Sequence, residues 1–396
     1  MNNLPSPLAF IALLGSGLAI AGTACTSVID GGGNGGNGGN GTASGTTSRA
    51  AGTSGTGVAT SSSGWSTTTS TTASSSSTGW SGTTTTSASS TSGTGSSAEA
   101  CGPAAPLTGA CAPTTACASF ASACLAHVSQ PGSTTPGFRI AQIVYSKPAA
   151  FTQGVVASVL QGSTTPNDTP CNLEGSGGIS WLLRFDTVAG TLQTGGAKPS
   201  SSPAGPYAFD VETVTQGAAT FAVQPVTLTA PLGAGCTFDS TEGDVVVPLY
   251  ENTSGAQPVL LPLRSLRLHA GTLSDDQSCI GRYNAAGLDP SNSCQPDATQ
   301  QAFTSDAAAD AFILLKDADT SSVAVLQESL CVVLSGNAVM YGNPGAGGET
   351  VCKRDANGNI LFQGDWCSTT NQAATATCAD AVQVSATFAA QAVTIE

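Results

Sequence analysis

Thirteen cysteines in a chain of 396 residues constrain this fold more than any other feature. Thiols in such number stay reduced in a cytosol and join into disulfides outside it. The N-terminus points to the second case. Residues 8–21 form an apolar run interrupted by Gly15 and Gly17. As a helix it would rise about 21 Å, too short for a hydrocarbon core of about 30 Å. It therefore reads as the h-region of a signal peptide over residues 1–24. Residues 1–7 hold no Lys or Arg, so either the α-amino group supplies the usual positive charge or the true start differs.

Downstream, Gly22-Thr23-Ala24-Cys25 resembles a bacterial lipobox, in which small residues precede a cysteine that is acylated and becomes the mature N-terminus. The match departs from the usual pattern at Gly22, where Leu or Val is common. The alternative is cleavage after Ala21, leaving Cys25 unmodified. Parity favours lipidation of Cys25: twelve cysteines then remain, enough to pair completely. They are Cys101, Cys111, Cys117, Cys124, Cys171, Cys236, Cys279, Cys294, Cys331, Cys352, Cys367 and Cys378. The partner implied at this end is a membrane, reached through the lipid anchor.

Residues 25–100 read as a disordered stalk. Gly-Gly-Asn occurs three times in succession over residues 32–40, and Ser, Thr and Gly fill most of the remaining stretch to residue 100. Such a segment cannot bury enough apolar surface to offset its ordering entropy. As a flexible coil it would span about 45–50 Å r.m.s.. Trp65 and Trp80 stand in related Gly-Trp-Ser contexts, read as drift within a spacer rather than as contacts for glycan.

Charge excludes one class of partner. Beyond the stalk, residues 101–396 hold 23 acidic and 10 basic side chains, and no Lys/Arg cluster offsets the excess. That field repels phosphate backbones, so nucleic acid is not an expected partner.

Residues 101–130 form a small cysteine-rich segment. Nine, five and six residues separate its four cysteines, and none of these gaps gives the short knuckle of a structural zinc site. Its Ala-rich part, 114–128, predicts a short helix with Phe120, Leu125 and Val128 facing the body and His127 exposed or capping. From there to residue 396 the chain predicts strands separated by Pro, Gly, Asn and Thr clusters. The runs are 138–145, 154–160, 179–185, 207–214, 221–230, 244–250, 312–315, 330–334, 360–363 and 381–388. Leu266 and Leu268 alternate with Arg267 and His269, the period of a strand with one wet face. Residues 306–311 are the best internal helix. The fold class is all-β: a disulfide-rich β-sandwich, jelly-roll-like, over residues 131–396. Cys279–Cys294 and Cys352–Cys367 are the local pairs that short loops favour.

Catalytic signals are weak. Only His127 and His269 could serve a serine nucleophile, and no Gly-x-Ser-x-Gly elbow accompanies them. Asp275/Asp276, Asp317/Asp319 and Glu242/Asp244 are carboxylate pairs of the type used in glycoside hydrolysis. Asp355-Ala356-Asn357-Gly358-Asn359 offers oxygens at alternate positions, as a calcium loop does. Its glycine falls early and no Glu closes it, so a hairpin turn is the plainer reading. Trp181 reads as core and Trp366 as cover for a disulfide. No cofactor motif is recognisable.

The segments 180–186 (SWLLRFD), 194–199 (TGGAKP), 278–284 (SCIGRYN) and 328–334 (ESLCVVL) resemble a type of myxobacterial surface lipoprotein with a Gly/Ser/Thr stalk and a cysteine-rich β domain. The resemblance spans roughly residues 100–396. It implies a location at the outer membrane or cell surface, together with the architecture, but no activity. The expected function is tethered display of a β module that binds a glycan or envelope component or serves envelope structure. The alternatives are a carboxylate-dependent glycoside hydrolase and a carbohydrate- or calcium-binding module.

Overall fold

The computed structural model describes residues 107, 109–120, 123–250, 257–296, 300–324, 326–338 and 349–396. The expectations for the signal peptide, Cys25, the stalk and Cys101 fall outside them.

Eight strands build the body: β1 (Gly137–Lys147), β2 (Ser180–Asp186), β3 (Thr191–Ala197), β6 (Val226–Thr229), β7 (Gly243–Leu249), β8 (Val259–His269), β9 (Ala308–Leu314) and β10 (Ala381–Ala392). Strands β4 (Glu212–Gln216) and β5 (Ala219–Val223) pair as a separate hairpin. The main sheet runs β7-β8-β9-β10-β1-β2-β3-β6 and its pairings are antiparallel. The first and last strands of the domain lie side by side at its centre, a non-local pairing.

The sheet then bends until its edges meet. The Thr241 amide, just before β7, donates to Thr229 O at the end of β6 at 2.8 Å, and the Thr229 amide donates to Thr241 Oγ1 at 3.0 Å. Farther along, Gly196 on β3 lies against Pro248 on β7 so closely that a Cβ at 196 would overlap the proline ring. Pro248 lacks an N–H, which a strand tolerates at an edge. The result is an all-β sandwich made from one curled sheet, with its two halves facing each other across a common core.

That core obeys the two-residue period of the strands. Phe138, Ile140, Leu183, Phe185, Leu192, Val247, Leu263, Ile313, Val384 and Phe388 all point into it. Phe138, Phe185 and Phe238 stack edge to face in sequence, with ring centroids 5.9 and 5.0 Å apart. On β8 the inward residues are Leu261 and Leu263, then Leu266 and Leu268. A bulge between Arg264 and Arg267, with Ser265 at φ 48°, resets the alternation.

Outside the sheet, a third layer covers β10 and β1. Leu125, Tyr283, Leu288, Phe303 and the Cys111 and Cys171 sulfurs pack there on Ala141 and Ala389. The buried Gln142 amide donates to Phe303 O at 2.6 Å and accepts the Phe303 N–H at 2.8 Å. One side chain thus replaces a strand partner for a backbone 161 residues away. On the same face Gln391 donates to Cys124 O and Leu125 O.

Five disulfides join described cysteines: Cys111–Cys294, Cys117–Cys171, Cys124–Cys279, Cys331–Cys352 and Cys367–Cys378. Cys236 is disulfide-bonded as well. The expected pairs Cys279–Cys294 and Cys352–Cys367 are therefore wrong. Short loops close most readily in an unfolded chain, but the native bond needs Cα atoms within about 4.4–6.8 Å of each other. Cys279 pairs beside Gln391 at the end of β10, where Cys124 is its neighbour.

Several elements also differ from expectation. Residues 154–160 belong to a helix, Gly154–Thr164, and 330–334 form the helix Leu330–Leu334, in which every residue is buried. A continuous apolar run suits either structure. Here the Ser329 hydroxyl accepts the Val332 N–H, which starts a helix. Of the helix expected at 306–311, residues 308–311 lie instead in strand β9, flanked on both sides by partners that override alanine's helix propensity. The described residues 114–120 and 123–128 form turns and irregular backbone rather than a helix, because Cys117 and Cys124 are drawn to different parts of the body. Phe120 is 68% exposed there, while Leu125 is fully buried at φ 54°. Strand β4 starts only at Glu212, and the 221–230 run breaks into β5 and β6 around Pro225, which lacks the N–H to continue the ladder. Residues 360–363 make a single bridge, Ile360 to Arg354, and no strand.

Candidate functional site

A group of four polar side chains, Lys198, Asp210, Glu212 and Tyr250, sits on the seam of the curled sheet. Lys198 comes directly after β3. The Asp210 amide donates to Gly196 O at 2.8 Å, which holds Asp210 and Glu212 beside that strand's end. Tyr250 closes β7 on the opposite side. Its hydroxyl donates a hydrogen bond to the Asp210 carboxylate and lies 3.3 Å from Glu212 Oε1. Lys198 Nζ is 3.8 Å from Asp210 and 3.5 Å from Glu212. Burial, with Asp210 next, raises the Tyr250 pKa, so the phenol keeps its proton and serves as donor. Asp210 is buried while Lys198 is exposed, so the charge pair is anchored inside and screened outside. The group works as a clasp between strands that are not joined by backbone hydrogen bonds at this end.

A second polar group crosses the outer face of β8, β9 and β10. His269 Nε2 and Asp310 Oδ2 are 2.8 Å apart, and the Ser385 hydroxyl donates to Asp310 Oδ1 at 2.6 Å. The acid stands in the middle. A serine hydrolase needs the imidazole between hydroxyl and acid, so that the ring can take the hydroxyl proton. This order cannot do that.

His127 is buried rather than exposed. Burial and then the neighbouring Arg139 guanidinium lower its pKa to about 4, and its Nε2 has no hydrogen-bond partner in the structure. Arg139, itself buried, donates to Ile179 O, Ile140 O and Ser180 Oγ. The cysteine-rich segment folds onto the sheet and takes His127 with it, which is why its polar type misleads.

The carboxylate pairs expected from sequence are occupied separately. Arg264 bridges Asp244 and Asp317 at 3.0 and 2.8 Å. Asp319 accepts from the Cys352 amide, Ser329 and Arg354. Glu242 meets Asn371. Asp275 and Asp276 cap their own turn, accepting the Asp276 and Ser278 amides respectively. Asp355 accepts the Asn357 and Asn359 amides and the Asn359 side chain, with Gly358 at φ 86°. This is a tight hairpin turn that ends in a left-handed glycine, with the Gly358 amide donating to Asp355 O and the Asp355 amide to Asn359 O.

No known protein family matches the chain, and neither does any curated protein or solved structure. Its own geometry is what speaks for a site. Two hollows lie apart from the seam. One is a small apolar cavity of about 10 Å³ inside the sheet, bordered by Trp181, Ala309, Ala311 and Ala386. The other is a groove of about 240 Å³ beside Gln130, Arg184 and Thr394. Neither is lined by Asp210, Glu212 or Tyr250.

Trp181 is core, with its indole N–H given to Thr194 Oγ1 at 2.8 Å. Trp366, half-buried beside Cys367, gives its own to Asn371. The two tryptophans therefore form no joint stacking face. Sequence reasoning misses the seam clasp, although Asp210-x-Glu212 has the spacing that places two acids on one side of an extended segment.

Proposed function

We propose that this chain is a lipid-anchored extracytoplasmic protein of the myxobacterial surface-lipoprotein type, fixed at Cys25 and displaying its β module on a stalk. The module engages a glycan or other envelope component through its outer surface. The observation that carries this reading is the set of three disulfides linking Cys111, Cys117 and Cys124 to residues 183, 54 and 155 positions onward. Crosslinks of that span form in an oxidising compartment, and they stiffen the module where the stalk would enter it. The carboxylate-hydrolase alternative draws less support, since Asp210 is buried at a seam and the acids expected from sequence are bound by arginine, by the Asn371 side chain or by backbone.

The test is metabolic labelling with a fatty acid and membrane fractionation of the full chain. Labelled wild type in the membrane fraction, and unlabelled Cys25→Ser in the soluble fraction, is the expected pair of results. A soluble, unlabelled wild type would reject the anchor. A polysaccharide array, scored for both retention and cleavage, then separates display from hydrolysis.

A further inference from the structure

We infer that the groove between Gln130, Arg184 and Thr394 binds one carboxylate-bearing sugar residue, a uronate, with the Arg184 guanidinium as its anchor. This deepens the glycan reading proposed above and rests on it.

The groove is built before any ligand arrives. Gln130 pins its walls: the side-chain amide donates to Gly137 O and Gln277 O at 3.0 Å each, and its carbonyl accepts the Gly137 N–H at 3.2 Å. Val128, Val393 and Ile395 give the groove an apolar side, while Ser129, Thr135 and Thr394 line it as exposed hydroxyl residues. A pyranose has the matching surface, with a C–H face and a rim of hydroxyls. At about 240 Å³ the groove is smaller than the ~300–1,000 Å³ usual for drug-sized ligands, which suits one ring and not a long segment.

Arg184 supplies the charge. Among the described residues lining the groove, it alone is charged. Its Nη2 donates to Gln193 Oε1 at 2.6 Å and its Cζ lies 5.6 Å from the Phe209 ring centroid, so the guanidinium is held in place. Nη1 reaches Glu396 O only at 3.4 Å, a long bond that a carboxylate oxygen would improve on. A guanidinium has five N–H donors, and a bidentate pair with a carboxylate uses two of them. Asp186, two residues on along β2, is turned away, since its Oδ1 accepts the Val188 and Ala189 amides. Hydroxyls rather than further cations complete the lining, which favours a single carboxylate over a phosphorylated sugar.

Isothermal titration of the full chain with trigalacturonate and with its methyl ester tests this, since the ester keeps the sugar and removes the charge. The acid is expected to bind about tenfold more tightly or better, the margin of a hydrogen bond to a charged group, and the margin should shrink in high salt. Arg184→Gln should lower affinity for the acid by about the same factor and leave the ester unchanged. Arg184→Lys, which keeps the charge and loses the planar fork, should fall between the two, and it decides the matter should Arg184→Gln not fold. Equal affinity for acid and ester, or wild-type affinity for the acid in either variant, would overturn the inference. So would equally tight binding of triaspartate, because the groove would then read charge and not sugar. Retention of glycans on the array without the acid preference leaves the glycan reading standing and removes this one. Silence of every glycan, trigalacturonate included, removes both.

Discussion

Tyr250 and Asp210 are joined by a hydrogen bond across the one seam of a sheet whose other strands are held by backbone ladders. Removing the phenol proton donor leaves a buried carboxylate short of a partner. Tyr250→Phe is expected to lose about 1.5–3 kcal/mol, the range for a hydrogen bond to a charged group. Asp210→Asn, which keeps a hydrogen-bonding group, should lose less. Urea titrations of the three proteins check this; an unchanged midpoint for Tyr250→Phe would mean that the clasp holds nothing.

Gly196 and Pro248 close the same seam by contact alone. Adding one methyl at Gly196 forces the strands apart, at about 1–3 kcal/mol for an overpacked site. Gly196→Ala should therefore melt several degrees lower, and Pro248→Ala in that background should recover part of the loss. If Gly196→Ala melts with the wild type, the edges are not in tight contact.

His127 makes acid stability directional. Its pKa falls from 6.5 to about 4 on folding, through burial and then Arg139, so the unfolded chain binds the proton more readily. The contribution is fully present above pH 6.5 and is lost as pH falls toward 4, amounting to about 3 kcal/mol in all. Unfolding free energies across this range should show the slope in wild type and a flatter one in His127→Gln. Equal slopes would refute it.

Cys331–Cys352 closes a loop of 21 positions, worth about 3 kcal/mol on chain-entropy grounds. The Asp319 carboxylate independently holds that loop through the Cys352 amide and Arg354. The double serine variant should thus be less stable by up to that amount yet keep its native circular dichroism. Loss of the native spectrum would show that the ion pair cannot hold the loop.

Two strands are legible in the sequence because one face is wet and the other dry: Leu266 and Leu268 against Arg267 and His269, and Val382, Val384, Ala386 and Phe388 along β10. The alternation is local, so a single pass along the chain detects it. Leu330–Leu334 is not legible, since all five residues are buried and both strand and helix would hide them equally well. Residues 308–311 mislead for the opposite reason. Their alanines favour a helix in isolation, and only β8 and β10 on either side make them a strand.

Side-chain pattern and cysteine number thus determined the all-β class and the oxidised state, because both depend on composition and near neighbours. The tertiary structure alone decided which sulfur meets which, where the sheet's edges join, and that Asp210, Glu212, Lys198 and Tyr250 share one seam. Those outcomes depend on how a long chain returns to itself. Sequence separation carries no record of that return: Cys124 finds Cys279 because β10 places them together.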